Sequence, residues 1–292
     1  MSEPKTVWTI REVLGWTTGR FASAELPTPR LDAEVLLAHV LGVERIQLYL
    51  DFDKPLGPPE LARYREAVRR RLTHEPVAYV TGRREFWSLA FEVSPAVLIP
   101  RPETELLVEL GLDHLRRRPA DAPAATVVEV GAGSGAIAVT IAHERPDVRV
   151  LAIERSPEAL EVARRNVARH APQVELLLGD LLEPLPEGLS VDLLLANLPY
   201  IPSAELETLA PEVRGFEPRI ALDGGPDGLA LVRPLVAQGV PRLAAGGLLA
   251  LELDPAEVPA VRDLLAAAGL VDVRVVKDLA GRERVVRALR PA

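Results

Sequence analysis

The chain has 292 residues, 48% of them hydrophobic, enough for one large domain or two modest ones with a sizeable core. It has no cysteine, which excludes disulfides, thiolate metal sites and thiol catalysis and fits a reducing compartment. Its formal net charge of −8 argues against tight, non-specific nucleic-acid binding, and it has neither a membrane-length apolar stretch nor, in Met1 to Thr9, a signal-peptide core, so a cytoplasmic location without a membrane partner is expected.

From residue 6 to about residue 80 the pattern is helical. Val7, Ile10, Val13, Leu14 and Trp16 fall near helical spacing. A second helix starts after Pro27-Thr28-Pro29, buries Leu31, Val35, Leu36, Leu37 and Val40, and ends at Gly42. Gly57-Pro58-Pro59 opens a third, with Leu61, Tyr64, Val68 and Leu72 inward and Arg63, Arg65, Arg69, Arg70 and Arg71 outward as a solvated face. Glu85-Phe86-Trp87 and Leu89 to Val93 read as a short hairpin, and the domain boundary is placed in this stretch.

Beyond Pro102, helices and strands alternate. Helices are expected at 103–118, 135–143, 157–170, about 227–239 and 258–268, with strands at 126–130, 148–153, 174–178, 191–196, 248–253, 271–276 and 284–289. Repeated strand–helix units imply a parallel sheet covered on both faces. The last two strands are joined by a turn at Ala280-Gly281, so an antiparallel final strand is expected.

The strand Thr126–Val130 runs into Gly131-Ala132-Gly133-Ser134-Gly135, a glycine loop that opens a helix. Glycines allow a sharp turn and close approach to a ligand, and the amides at the helix start favour an anionic group. Glu154, nineteen residues past Gly135, ends the next strand where a carboxylate can accept ribose hydroxyls. Together these features point to an adenosine cofactor and leave a dinucleotide and S-adenosylmethionine both open. Gly179-Asp180-Leu181 ends the third strand at the same edge. Asp180 could bond the adenine amino group and Leu181 cover an adenine face, although alone they make an ordinary turn.

Asn197-Leu198-Pro199-Tyr200 closes the apolar run Val191–Ala196. An asparagine, a rigid turn and an aromatic ring at a strand's carboxyl edge can hold a planar amino group. Methyltransferases acting on an NH2 nitrogen use such a turn, and dinucleotide enzymes do not require one. Alone it would also fit a plain proline turn leaving a core strand.

With these motifs in order, the chain resembles the peptide chain release factor N5-glutamine methyltransferases over nearly its whole length. Further matches are Glu75-Pro76-Val77-Ala78-Tyr79, Leu98-Ile99-Pro100-Arg101-Pro102-Glu103-Thr104-Glu105, Phe216-Glu217-Pro218, Ala221 to Leu229, and Asp278-Leu279-Ala280-Gly281-Arg282. The resemblance implies an α/β fold, a Rossmann-like class I methyltransferase with a mostly parallel seven-stranded sheet, plus an N-terminal helical domain that recognises the substrate. The expected division is 1–80 for that domain, 81–97 for a hairpin linker and 98–292 for the methyltransferase domain. The resemblance also implies S-adenosylmethionine, no metal, and a glutamine in the Gly-Gly-Gln loop of a class 1 release factor as acceptor. Asn197 and the Leu198 carbonyl would hold the acceptor amide, with Pro199 and Tyr200 completing the catalytic turn. Gly131 to Gly135, Glu154, Asp180, Leu181 and Asn197 would line the cofactor site.

Two departures stand out. Leu198 occupies a place where the family usually has a second proline, and Leu251-Glu252-Leu253-Asp254 replaces a more usual Glu-x-Gly, so Glu252 is given no role. Rival readings are a ribosomal-protein glutamine methyltransferase, a nucleic-acid amino-methyltransferase acting on adenine N6 or guanine N2 of a flipped base, and a non-catalytic cofactor-binding module. No direct nucleic-acid contact is expected, because no basic stripe is evident.

Overall fold

The computed structural model describes residues 7–119 and 121–292. Residue 6, where the helical reading begins, lies outside them. The chain divides into two compact units, one running to Gly82 and taking in Ala210–Phe216, the other comprising Arg83–Leu209 and Glu217–Ala292.

The first unit contains β1 (Trp8–Thr9), α1 (Ile10–Ser23), α2 (Pro29–Leu41), α3 (Arg45–Leu50), β2 (Pro55–Leu56), α4 (Pro58–Leu72) and α5 (Val77–Thr81). A capping box starts α1: Glu12 N–H donates to Thr9 Oγ1, and Thr9 N–H donates to the Glu12 carboxylate at 3.0 Å. Prolines open α2 and α4 at positions where no helical N–H bond is lost. Ile10, Leu14, Phe21, Leu36, Leu37 and Leu48 are fully buried in this unit's core.

The expected faces need three corrections. Val7, 56% exposed, lies ahead of the helix, and Trp16 is 55% exposed because the phase of α1 is set by Ile10, Val13, Leu14, Thr17 and Phe21. Leu31 is also exposed, and α3, α5 and the β1–β2 pair were not anticipated. Arg71, read as part of a solvated face, is only 2% exposed. Its Nε donates to Asp32 at 2.7 Å, and its Nη1 pairs with Glu212 at 3.0 Å.

The second unit begins with the hairpin β3 (Arg83–Phe86) and β4 (Leu89–Glu92), followed by α6 (Glu105–Arg116), β5 (Thr126–Val130), α7 (Ala136–Glu144), β6 (Arg149–Glu154), α8 (Pro157–His170), β7 (Glu175–Leu178) and β8 (Val191–Ala196). The chain then contributes α9 (Pro211–Phe216) to the first unit. It returns as α10 (Val232–Gly239), β9 (Leu243–Glu252), α11 (Val258–Ala267), β10 (Val271–Lys277) and β11 (Glu283–Leu289). The hairpin is not a separate linker. Phe86 and Phe91 are buried in the core of this unit, edge to face with centroids 6.1 Å apart, and Glu92 N–H donates to Asn166 on α8.

Among the described residues seven strands form one sheet in the order β10-β11-β9-β8-β5-β6-β7. Neighbours from β9 to β7 pair in parallel, and β11 runs antiparallel to both β9 and β10. This is the mostly parallel, Rossmann-like sheet expected from the sequence. Alternate residues of β8 enter two separate cores, Leu193 and Leu195 on one face and Leu194 and Ala196 on the other. Ile141 of α7 packs on the first face, and Leu235 of α10 and Val261 of α11 pack on the second. Strands buried on both faces read as continuous apolar runs, which is why they were visible in the sequence. Among the described residues no helix is long and apolar enough to cross a membrane.

Removing one partner of a buried ion pair leaves an uncompensated charge. Arg71→Met is expected to destabilise the protein by about 3–5 kcal/mol, measured as a lowered denaturation midpoint.

Candidate active site

The carboxyl ends of β5, β6, β7 and β8 surround a cleft that opens to solvent. The cleft lies where strand order reverses, with β6 and β7 on one side of β5 and β8 and β9 on the other. Open α/β sheets bind ligands at such a switch point.

Gly131, Ala132, Gly133 and Ser134 line the cleft, and Gly135 is set back as the cap of α7. Gly131, Gly133 and Gly135 have φ values of +79°, +55° and +79°, a region costly for side-chain-bearing residues. The loop is tied to β6. Gly131 and Ala132 N–H both donate to the Ile153 carbonyl, at 2.9 and 3.0 Å. Glu154, 7% exposed, accepts from Gly133 N–H through Oε2 and from Ser156 N–H through Oε1, each at 2.8 Å. Each carboxylate oxygen has a second lone pair, so Glu154 can still accept from a ligand.

Glu129 also lines the cleft and was missed in the sequence, where it reads as one polar residue within a core strand. It accepts from Ala138 N–H at 2.8 Å, satisfying the first turn of α7 in place of the side chain that Gly135 lacks. Burial pushes its pKa up to about 8; the Ala138 hydrogen bond opposes the shift and the Glu154 charge adds to it.

Asp180 and Leu181 line the cleft from the end of β7. Leu181 is buried with φ +46°, a left-handed conformation stored at the site. A Cβ on Gly179 would stand 2.8 Å from the Pro184 ring, which accounts for glycine there.

Asn197, Leu198 and Pro199 line the cleft from the end of β8, whereas Tyr200 does not. Asn197 Nδ2 donates to Thr104 Oγ1 at 3.1 Å. Neither Asn197 Oδ1 nor the Leu198 carbonyl accepts a hydrogen bond from any described residue. Leu198 is 6% exposed, and its Cδ2 would be 3.2 Å from a Cβ on Gly131, so its side chain braces the glycine loop. Beyond Tyr200 the turn is bonded on both sides: Ile201 N–H donates to the Leu222 carbonyl at 3.0 Å, and Gly224 N–H to the Ile201 carbonyl at 2.8 Å. Gly228 lies so close that a Cβ would sit 2.3 Å from the Tyr200 carbonyl oxygen. Burial pushes the Tyr200 phenol up to about 12, so it stays protonated. Arg101 lines the cleft and pairs with the buried Glu217.

Residues 12–82 match a family described as the PrmC N-terminal domain, and residues 127–216 match a methyltransferase domain. A release factor glutamine methyltransferase of Geobacter sulfurreducens is 45% identical over 98% of this chain and 98% of its own length. One from Moorella thermoacetica is 45% identical over 97% of this chain and 99% of its own. The chain belongs to the release factor glutamine methyltransferase family. The catalytic domain of human Mettl16 bound to an RNA hairpin, 13% identical with a TM-score of 0.57 over 80% of this chain and 81% of that one, shares the fold. So does a methyltransferase from Pyrococcus furiosus, 19% identical with a TM-score of 0.51 over 71% of this chain and 91% of that one.

As a member of this family the chain is an S-adenosylmethionine-dependent methyltransferase. The cleft fits that cofactor: the left-handed Gly131 and Gly133 let a ligand approach the backbone, Glu154 has acceptor capacity for a ribose, and Ile137, Leu181 and Leu98 supply apolar wall. Glu154→Ala is expected to weaken S-adenosylmethionine binding by about tenfold or more, since a hydrogen bond to a charged group contributes about 1.5–3 kcal/mol. Isothermal titration measures it.

Glu129 holds its proton more tightly folded than unfolded. The stability this confers is full below the ordinary carboxylate range and is lost as pH rises through about 8. The melting temperature of the ligand-free enzyme should therefore fall from about pH 5 to about pH 8, and fall less steeply in Glu129→Gln.

Proposed function

We propose that this enzyme methylates the side-chain amide nitrogen of the glutamine in the Gly-Gly-Gln loop of class 1 release factors, in the cytoplasm and without direct contact to nucleic acid. The observation that carries the reading is the pair of open acceptors at the end of β8, Asn197 Oδ1 and the Leu198 carbonyl.

An amide nitrogen is a poor nucleophile because its lone pair is delocalised into the carbonyl. S-adenosylmethionine supplies, when bound, an electrophilic methyl group on a sulfonium. The chain's task is to aim the nitrogen. Asn197 Oδ1 and the Leu198 carbonyl each accept one N–H of the glutamine amide, which fixes the NH2 plane. As positive charge develops on the nitrogen, its N–H groups become stronger donors, so both bonds strengthen toward the transition state. The proton leaves after transfer, so no strong base is required. Pro199 limits the turn's freedom. Tyr200, whose backbone abuts Gly224 and Gly228, anchors the turn.

In this reading Gly131, Ala132, Gly133, Ser134 and Gly135 form the cofactor loop. Glu154 takes the ribose hydroxyls, Asp180 takes the adenine amino group, and Leu181 covers the adenine face. The acidic balance and the near full-length relatedness favour a protein acceptor over a nucleic-acid base.

The test is incubation with labelled S-adenosylmethionine and, separately, a release factor, a ribosomal protein and nucleic acid, with mass spectrometry to place the methyl group. A methyl on the release-factor glutamine is expected; label only on another acceptor overturns the reading. Asn197→Ala should lower turnover by about 100-fold or more, the scale on which removing one oriented polar group acts. Cofactor affinity in that variant should be largely intact by titration.

A further inference from the structure

Glu252 is a buried acid that this mechanism leaves idle. It ends β9 beside the catalytic turn: Leu251 pairs with Ala196, so Glu252 falls in register with Asn197. It is 3% exposed and does not line the cleft, whereas Asn197 and Thr104 do. Its neighbours Leu251 and Leu253 are core residues, and its Oε2 has no protein partner among the described residues. An acid so placed costs stability.

The two ends of an asparagine amide have nearly the same shape, so only its neighbours decide which end faces the cleft. Asn197 Nδ2 donates to the Thr104 hydroxyl. That hydroxyl has a single proton, and the Glu252 carboxylate, in register with Asn197 across the sheet, interacts electrostatically with both Thr104 and Asn197. An ionised carboxylate only accepts. Its charge favours the Thr104 proton turning toward it, which leaves Thr104 Oγ1 as the acceptor for Nδ2. The wall behind Asn197 is then acceptor-only, and Oδ1 must face the cleft.

We infer that Glu252 is a positioning residue that, with Thr104, locks the Asn197 amide with Oδ1 toward the substrate. This rests on the reading of Asn197 given above. Protonated Glu252 has a donor of its own and no longer forbids the flipped amide. The groups that face it set the pH at which this happens. Burial pushes its pKa up to about 7, with Glu103 adding to the shift and Thr104, Arg284 and Asn197 opposing it; the Tyr200 phenol faces it as a neutral group. The lock is therefore engaged on the alkaline side.

The experiment measures kcat and KM for a purified release factor, and S-adenosylmethionine affinity, from about pH 6 to about pH 8.5. The proteins are wild type, Glu252→Gln, Thr104→Val, the double variant and Asn197→Ala. Glu252→Gln is expected to lower kcat by about 10-fold to 100-fold at the alkaline end, as for a mispositioned reacting group. Cofactor affinity should hold, and the rise of kcat with pH through about 7 should disappear. Thr104→Val should show a similar loss, and the double variant should be no worse than the poorer single one. Wild-type kcat and pH profile in Glu252→Gln overturn the inference. Should that variant fold poorly, wild-type kcat in Thr104→Val overturns it instead. Wild-type turnover in Asn197→Ala would overturn the underlying mechanism. An inactive Asn197→Ala beside a fully active Glu252→Gln removes only the lock.

Discussion

A parallel sheet whose strands are apolar on both faces offers its polar groups at or next to the strand ends. The alternation along β8 makes this concrete. Leu193 and Leu195 enter one core, Leu194 and Ala196 enter the other, and the next residue, free of both cores, is Asn197. The same constraint puts Glu154 at the end of β6 and Glu252 at the end of β9. The site is a row of strand termini, each held by its neighbours in the sheet. Its precision is inherited from β pairing rather than from a loop's own preferences.

This constraint also governs what could be read from the sequence. β5 and β8 run over the expected residues because an apolar run bounded by glycine or asparagine has a clear beginning and end. β9 begins five residues before its expected start at Leu248, because Leu243-Ala-Ala-Gly-Gly carries no apolar run and joins β8 through a register shift. Glycine loop, Glu154 and Asn197 were legible because each follows a strand at recognisable spacing. Glu129, Thr104 and Glu252 were not. Whether a carboxylate or hydroxyl is buried against the site depends on which distant segment packs over it, and periodicity carries no such information. Arg71 was hidden for the same reason: nothing in a run of arginines marks the one that meets Asp32.

Leu198 shows how a departure from a family pattern can be absorbed. A proline there would stiffen the turn by restricting its own backbone. In this chain the side chain packs into the core and against Gly131, while Leu222 and Gly224 hold Ile201 on the far side of Tyr200. Stiffness comes from packing and from main-chain bonds instead of from a ring. The carbonyl of residue 198 is unaffected by the exchange, since every residue has one.

Helix α9 lies between β8 and β9 in sequence, yet its contacts place it with the N-terminal helices. Neither unit is therefore one contiguous stretch of chain. A fragment ending at Gly82 would lack Glu212 and leave Arg71 with a carboxylate partner missing. Domain shuffling, by evolution or by an engineer, has no single cut point here. Grafting the N-terminal helices onto another catalytic unit would require carrying a second segment, inserted deep within the recipient gene.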